Sequence, residues 1–194
     1  EDEQYSDEDF IVEEDKVVII TRDGWVKRQK EVKDAAATRV REGDAVLALL
    51  PGSTRASVVF FTNFGTAYTT KIAAVPASTG YGEPIQSLFK FKDGEKVVAA
   101  VSLDPRTSGV VTAKDPETPP PAHALAVSSD GYSLRFSLAP FIEPSTRAGR
   151  RFAKVADGAE IVGVAKVTGG ETVIAATRQA RAMLCRLDEV NFLA

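Results

Sequence analysis

The chain of 194 residues holds one histidine and one cysteine, too few to assemble a metal set or a nucleophile–base pair. His123 follows closely on Pro119-Pro120-Pro121, a context that predicts a solvent-facing loop histidine. Cys185 stands between Leu184 and Arg186 in an alternating stretch and reads as a buried or half-buried structural thiol. Glu42, Asp44, Asp93 and Glu95 flank Gly43 and Gly94, which makes them turn acids rather than a catalytic carboxylate pair or a Mg²⁺ site. Gly80-Tyr81-Gly82 lacks the following Lys-Ser/Thr and helix of a phosphate cradle. The sequence therefore predicts a domain with no catalytic set, no metal and no cofactor of its own.

Charge is the more informative chemistry. Residues 1 to 15 carry nine acids and no base, so the remaining residues hold 18 acids and all 24 lysines and arginines. A mildly basic body behind an acidic leader can bind a polyanion, with the leader competing for it or lying on another face. The densest basic group is Arg147, Arg150, Arg151 and Lys154. A second series, Arg22, Lys27, Arg28, Lys30, Lys33, Arg39 and Arg41, runs near the start, and Lys71, Lys90, Lys92, Arg135, Arg178, Arg181 and Arg186 continue it. Cations at recurrent positions can follow successive phosphates of a duplex with little base readout. Any one of them is more simply a solvated surface charge, so the pattern as a whole carries the reading.

The elements that must position these residues repeat. Thr21, Thr62, Ser128 and Thr177 each end an apolar, β-prone run and stand three residues before Gly24, Gly65, Gly131 and Ala180. Each unit reads as a hairpin whose turn glycine takes a positive φ; Ala180 breaks that pattern and leaves the fourth turn the least defined. Acid-Gly turns at Glu42-Gly43, Asp93-Gly94 and Asp157-Gly158 lead into a further apolar strand, giving about four short strands per unit, the size of a propeller blade. The expected fold is all-β, a propeller-like disc with repeat units near 15–55, 56–109, 122–168 and a partial 171–194, preceded by a leader at 1–14. Single helical turns are expected around Leu138 to Ile142 and Leu187 to Val190. The proline-rich stretch between Asp104 and Pro121 reads as an exposed excursion. Trp25, Phe60, Phe61, Tyr68, Phe89, Phe91 and Phe136 are expected in the core, and Tyr81 is the aromatic worth testing for exposure because its connector recurs. The chain opens without Met and stops within its fourth unit, as expected of a fragment, and the lone cysteine with no long apolar run suits a reducing cytosol.

Three phrases carry a family resemblance: Asp15-Lys16-Val17-Val18-Ile19-Ile20-Thr21-Arg22-Asp23-Gly24-Trp25-Val26-Lys27-Arg28, Ser78-Thr79-Gly80-Tyr81-Gly82-Glu83-Pro84-Ile85, and Ser145-Thr146-Arg147-Ala148-Gly149-Arg150-Arg151-Phe152. They resemble the blade strands and connectors of the carboxy-terminal domain of bacterial type IIA topoisomerase A subunits, the DNA gyrase and topoisomerase IV group. The resemblance implies a β-pinwheel whose blades exchange strands and whose basic rim bends or wraps duplex DNA. It places the cleaving tyrosine, ATP and Mg²⁺ outside this segment, in the upstream A-subunit core and the B subunit, and implies a bacterial cytoplasmic, nucleoid-associated setting with no membrane. Tyr5, Tyr68, Tyr81 and Tyr132 are accordingly not nucleophiles.

Gyrases of this family carry a Gln-Arg-Arg-Gly-Gly-Lys-Gly box in the first connector. Here that stretch reads Glu31-Val32-Lys33-Asp34-Ala35-Ala36-Ala37-Thr38-Arg39-Val40-Arg41, and the interval from Gly24 to Gly43 is 19 residues against 29 from Gly65 to Gly94. The resemblance therefore points toward a topoisomerase-IV-like relaxation and decatenation role, with gyrase-type supercoiling as the alternative. A propeller-like protein-interaction module with a basic face for an acidic partner is the reading from a different class.

Overall fold

The computed structural model describes residues 10–193; the leader's first nine residues, Tyr5 among them, lie outside the described residues. The strands are β1 (Asp15–Thr21), β2 (Trp25–Gln29), β3 (Val46–Ser53), β4 (Ser57–Thr62), β5 (Thr66–Lys71), β6 (Glu83–Pro84), β7 (Val97–Ser102), β8 (His123–Ser128), β9 (Ser133–Phe136), β10 (Arg150–Arg151), β11 (Ile161–Val167), β12 (Thr172–Ala176), β13 (Ala182–Arg186) and β14 (Phe192–Leu193). Among the described residues they form three four-stranded sheets, ordered β3-β1-β2-β6, β10-β5-β4-β7 and β11-β8-β9-β14, and the pair β12-β13.

Each four-stranded sheet thus takes three strands from its own repeat and one from the next. The hairpin pairs antiparallel, the acid-Gly strand returns along the first strand, and the fourth strand comes from the next repeat's connector. Glu83–Pro84 is lent to β2 and Arg150–Arg151 to β5, both antiparallel, while Phe192–Leu193 joins β9 in parallel. This exchange needs close backbone approach. Gly82 and Gly149 stand just before the lent strands at φ +84° and +74°, and a Cβ on Gly82 would lie 2.3 Å from the Val26 carbonyl oxygen.

Alternation in the strands then builds a core between each pair of sheets. Val58 and Phe60 of β4 face the first blade with Val18, Ile20 and Val26, whereas Val59 and Phe61 face the third with Phe136, Phe141 and Phe152. Phe61 meets those three rings edge-on at centroid distances of 5.0 to 5.9 Å. Burying such rings stabilises by about 1.5–3 kcal/mol each, which is where the sequence's aromatics were expected. Trp25 and Phe91 are only half-buried. The third interface, around Leu125, Val167, Leu187 and Val190, is smaller, and Ile174 and Leu184 of the last hairpin stay exposed. On the inner side, β3, β7 and β11 converge around a cavity of about 420 Å³ lined by Leu49, Ala100 and Val164, among others. The lent strands therefore sit on the outer edge.

The turns at Gly24, Gly65 and Gly131 have φ of +84°, +77° and +89°, and Ala180 adopts the same left-handed region at +58°. In all four the N–H at that position donates to the carbonyl three residues back, at 3.0 to 3.1 Å. Short 3₁₀ turns occur at Ala139–Phe141 and Leu187–Glu189, as expected.

Two expectations are corrected. His123 is not in an exposed loop: it opens β8 with 1% exposure, its Nδ1–H donates to the Pro120 carbonyl at 3.0 Å, and its ring meets Phe192 edge-on. Burial pushes the imidazole pKa down and so favours the neutral ring beside Arg135, whose Nη1 lies 3.5 Å from Nε2. The proline-rich excursion is also partly structural. Asp104 caps the short helix α1 (Pro105–Ser108), and Asp104, Ser108, Val111 and Pro120 are buried.

Candidate nucleic-acid interface

The cations singled out in the sequence fall into three environments. Arg22, Lys30, Lys33, Arg39, Arg41, Lys90, Lys92, Arg147, Arg150, Arg151, Lys154, Arg178, Arg181 and Arg186 are exposed, and Arg28 and Lys71 are half-buried. Lys27 and Arg135 are buried, at 1% and 8% exposure, which removes them from the surface the sequence placed them on. Arg135 donates from Nε to the Val190 carbonyl at 2.8 Å, so it anchors the last 3₁₀ turn against β9. Lys27 donates from Nζ to the carbonyl oxygens of Arg39 and Gly80, at 2.6 and 2.7 Å. Desolvation, helped by the Arg39 charge, lowers its pKa.

The exposed cations gather where connectors meet lent strands. At the outer edge of the first blade, Arg28 exchanges main-chain hydrogen bonds with Pro76 and Ser78, and its Nε donates to the Val75 carbonyl at 3.1 Å. Gln29 Nε2 donates to the Ser78 carbonyl. These bonds wall a groove of about 780 Å³ lined by Arg28, Lys30, Glu31, Ser78 and Thr79, and Lys16 and Glu14 border its neighbour. Two exposed guanidiniums are steadied on aromatic faces: Arg39 over Tyr81 at 5.1 Å and Arg41 over Trp25 at 4.6 Å. Tyr81, at 43% exposure, is the accessible aromatic its recurrent connector suggested.

At the equivalent edge of the second blade, Arg150 and Arg151 are themselves the lent strand, paired with Ala67 and Thr66. Arg147 precedes them, its Nη2 donating to the Ser87 carbonyl and its own carbonyl accepting from the Lys90 N–H at 2.7 Å. The Arg150 guanidinium donates to the Pro140 carbonyl. Lys154 borders a hollow of about 290 Å³ with Asp130 and Tyr132. Arg178 and Arg181 lie on the last hairpin, and Arg186 is paired with Asp188. The arrangement suits electrostatic contact with an extended polyanion, because exposed cations stand at the outer edges of both blades: Lys30, Arg39 and Arg41 at the first, and Arg147, Arg150 and Arg151 at the second.

Sequence reasoning missed Lys16, which is 19% exposed and bound to Glu14 at 2.6 Å, and the brace made by Gln29. The alternation of β2 is the signal for Lys27: it puts Lys27 opposite Val26 and across from the fully buried Ile19. Among the described residues no group of three or more His, Cys, Asp and Glu is placed to hold a metal, and no helix is long and apolar enough to cross a membrane.

Comparison with known proteins places this geometry. A family model described as the DNA gyrase C-terminal domain, beta-propeller, matches residues 56–104 and 122–168, the second and third blades. The chain is 29% identical over 191 residues to the DNA gyrase A protein of Aminobacterium colombiense and 26% identical over 178 residues to that of Escherichia coli K12. The chain is similar to the DNA gyrase C-terminal domain. The alignments cover 93% and 86% of this chain but 22% and 19% of those gyrase proteins, so the chain spans about a fifth of their length.

The fold also matches solved structures. The C-terminal domain of DNA topoisomerase IV superposes with a TM-score of 0.77 at 20% identity, covering 95% of this chain and 55% of that one. The E. coli ParC C-terminal domain gives 0.72 at 20% identity, covering 93% and 68%. A DNA gyrase A C-terminal domain gives 0.56 at 19% identity, covering 93% and 57%.

Proposed function

We propose that this domain binds duplex DNA along its outer edge and bends or wraps it, presenting the DNA to an ATP-dependent type IIA topoisomerase. Its partners on this reading are duplex DNA, the upstream A-subunit core and the B subunit, with ATP and Mg²⁺ used elsewhere in the assembly. The supporting observation is a repeated outer edge: at two blades a connector closes on a glycine and lends a two-residue strand, and exposed cations gather there, from the first blade's own segments at one edge and from the connector itself at the other. Cations spaced along a curved edge neutralise successive phosphates, and the released counterions offset the cost of bending. The exposed cations named above are the proposed contacts, without Lys27 and Arg135. The domain is taken as residues 15–194 behind the leader at 1–14.

Within the family we favour a topoisomerase-IV-like relaxation and decatenation role. The short first connector without a Gln-Arg-Arg-Gly-Gly-Lys-Gly box supports it. The sequence relatives are gyrase A proteins, which favours negative supercoiling as the second reading.

Affinity and end-to-end distance of doubly labelled duplexes of increasing length test the proposal. Affinity should rise with duplex length, the ends should approach each other on binding, and charge reversal at Arg147, Arg150, Arg151 and Lys154 should weaken both effects. Length-independent affinity without bending would sink the wrapping model.

A further inference from the structure

The second and third connectors meet at the Arg147 carbonyl through a main-chain donor, the Lys90 N–H, and a second bond runs from Arg147 Nη2 to the Ser87 carbonyl. One blade earlier the corresponding carbonyl is that of Gly80, because Ser78-Thr79-Gly80-Tyr81-Gly82 aligns with Ser145-Thr146-Arg147-Ala148-Gly149. Both segments end on a left-handed glycine pressed against the receiving strand. Gly80 is reached instead by a side chain. Lys27 Nζ donates to its carbonyl at 2.7 Å and, at 2.6 Å, to that of Arg39 in the first connector.

Chain length accounts for the difference. The second connector has the residues to lay Phe89 and Phe91 against Tyr68, with centroids 5.1 and 4.8 Å away, and still deliver the Lys90 N–H. The first, shorter by ten residues between its glycines, meets a lysine at the position equivalent to Tyr68, since Lys27 and Tyr68 each follow Thr21 and Thr62 by six residues. A lysine stem covers the distance that the missing residues leave, and its ammonium makes the bridge with charge-assisted bonds to two carbonyls. Gln29 repeats the link, accepting from Thr38 Oγ1 and donating to the Ser78 carbonyl.

We infer that Lys27 is a positioning residue for nucleic-acid binding, a buried strut that joins the first two connectors and fixes Arg39 over Tyr81 at the outer edge. The inference rests on the proposal that this edge binds DNA. Lys27 itself, at 1% exposure, has no access to a phosphate. Its effect passes through Arg39, whose guanidinium is held over the Tyr81 ring, a contact that does not itself use the N–H donors.

The test compares Lys27→Met, Arg39→Ala and the double variant of the whole chain, by hydrogen exchange and by binding of a labelled linear duplex across a salt series. Lys27→Met should speed exchange in residues 34–42 and 77–82 and leave 145–152 unchanged. It should also weaken DNA binding about three- to tenfold and reduce the salt slope by about one, the loss of one ordered phosphate contact. The double variant should bind no more weakly than Arg39→Ala, because both changes remove the same contact. Unchanged exchange, or losses that simply add, would overturn the strut. Faster exchange with wild-type binding and slope in all three variants would overturn the inference through its DNA half and place the fault in the reading of the edge. Should Lys27→Met fail to melt cooperatively, reductive methylation of the unmodified chain decides: Lys27 should react last, and a Lys27 as reactive as Lys30 or Lys33 refutes the strut.

Discussion

Arg106 Nη2 lies 2.8 Å from Asp104 Oδ2 and 2.6 Å from Asp15 Oδ1, so one guanidinium ties the end of the second blade to the first strand of the first blade. The two carboxylates are not equivalent. Asp15 is open to water and its share of the pair is worth little. The Asp104 side chain is 2% exposed and also accepts from the main-chain N–H groups of Ser53 and Arg106, at 2.7 and 2.9 Å. It therefore joins β3, β7 and α1 at a single buried point.

That point should set the acid limb of stability. The Arg106 guanidinium first, then the Ser53 and Arg106 N–H groups, hold the Asp104 carboxyl down to about 2 against the opposing effect of burial. A depressed folded-state value stabilises above the unfolded carboxyl's range, and the contribution is lost as pH falls from about 4 toward 2. The loss amounts to about 2 kcal/mol. Asp104→Asn should lower stability by a similar amount at pH 7 and flatten the decline between pH 4 and 2 in denaturant titrations. An undiminished acid decline in that variant would assign the limb to other carboxylates.

Ala180 offers a gain of the opposite sign. It occupies the left-handed turn position that glycine takes in the other three hairpins, at φ +58°, and its N–H makes the same bond to the residue three back. An L-residue is strained there, partly offset because glycine has more freedom to lose on folding. Ala180→Gly should stabilise the last hairpin by about 0.5–1 kcal/mol, read as slower hydrogen exchange over residues 172–186. Faster exchange there would mean that the turn is not under strain.

These two positions also mark what could be read in advance. The Thr-to-Gly register placed the hairpins because a positive φ is a local demand that glycine meets, and the register located the fourth turn even where alanine stands in it. Strand exchange had no such local signal and was expected only through the family resemblance. Glu83–Pro84 and Arg150–Arg151 are two residues each, too short for any periodicity, and their strand character comes wholly from the blade that receives them. His123 was misjudged for a related reason: the prolines before it suggested exposure, while the contacts that bury it come from Pro120 and from Phe192, far along the chain. Lys27 and Arg135 were grouped with surface cations by residue type, although each lies on a strand whose neighbours are core residues. Charge is legible in a sequence; the carbonyls that consume it are not.

The acidic leader supplies the last prediction. Its described end is pinned beside the first-blade groove: Arg55 Nε donates to the Ile11 carbonyl, Thr54 Oγ1 to the Val12 carbonyl, and the Glu14 N–H to Thr54 Oγ1. Glu14 then meets Lys16 at 2.6 Å, and the charges of Lys16, Lys30 and Arg28 all lower its pKa. Residues 1–9 hold six further acids, and on the DNA-binding reading we propose that this charge competes with phosphate for the same cations. Deleting residues 1–9 should strengthen duplex binding several-fold at low salt. The gain should fade as salt rises, because screening shortens to about 10 Å at 0.1 M and further above it. Binding titrations of both forms across a salt series would show converging affinities. Equal affinities at the lowest salt would mean that the leader's charge does not reach the groove, and parallel curves would mean that the gain is not electrostatic.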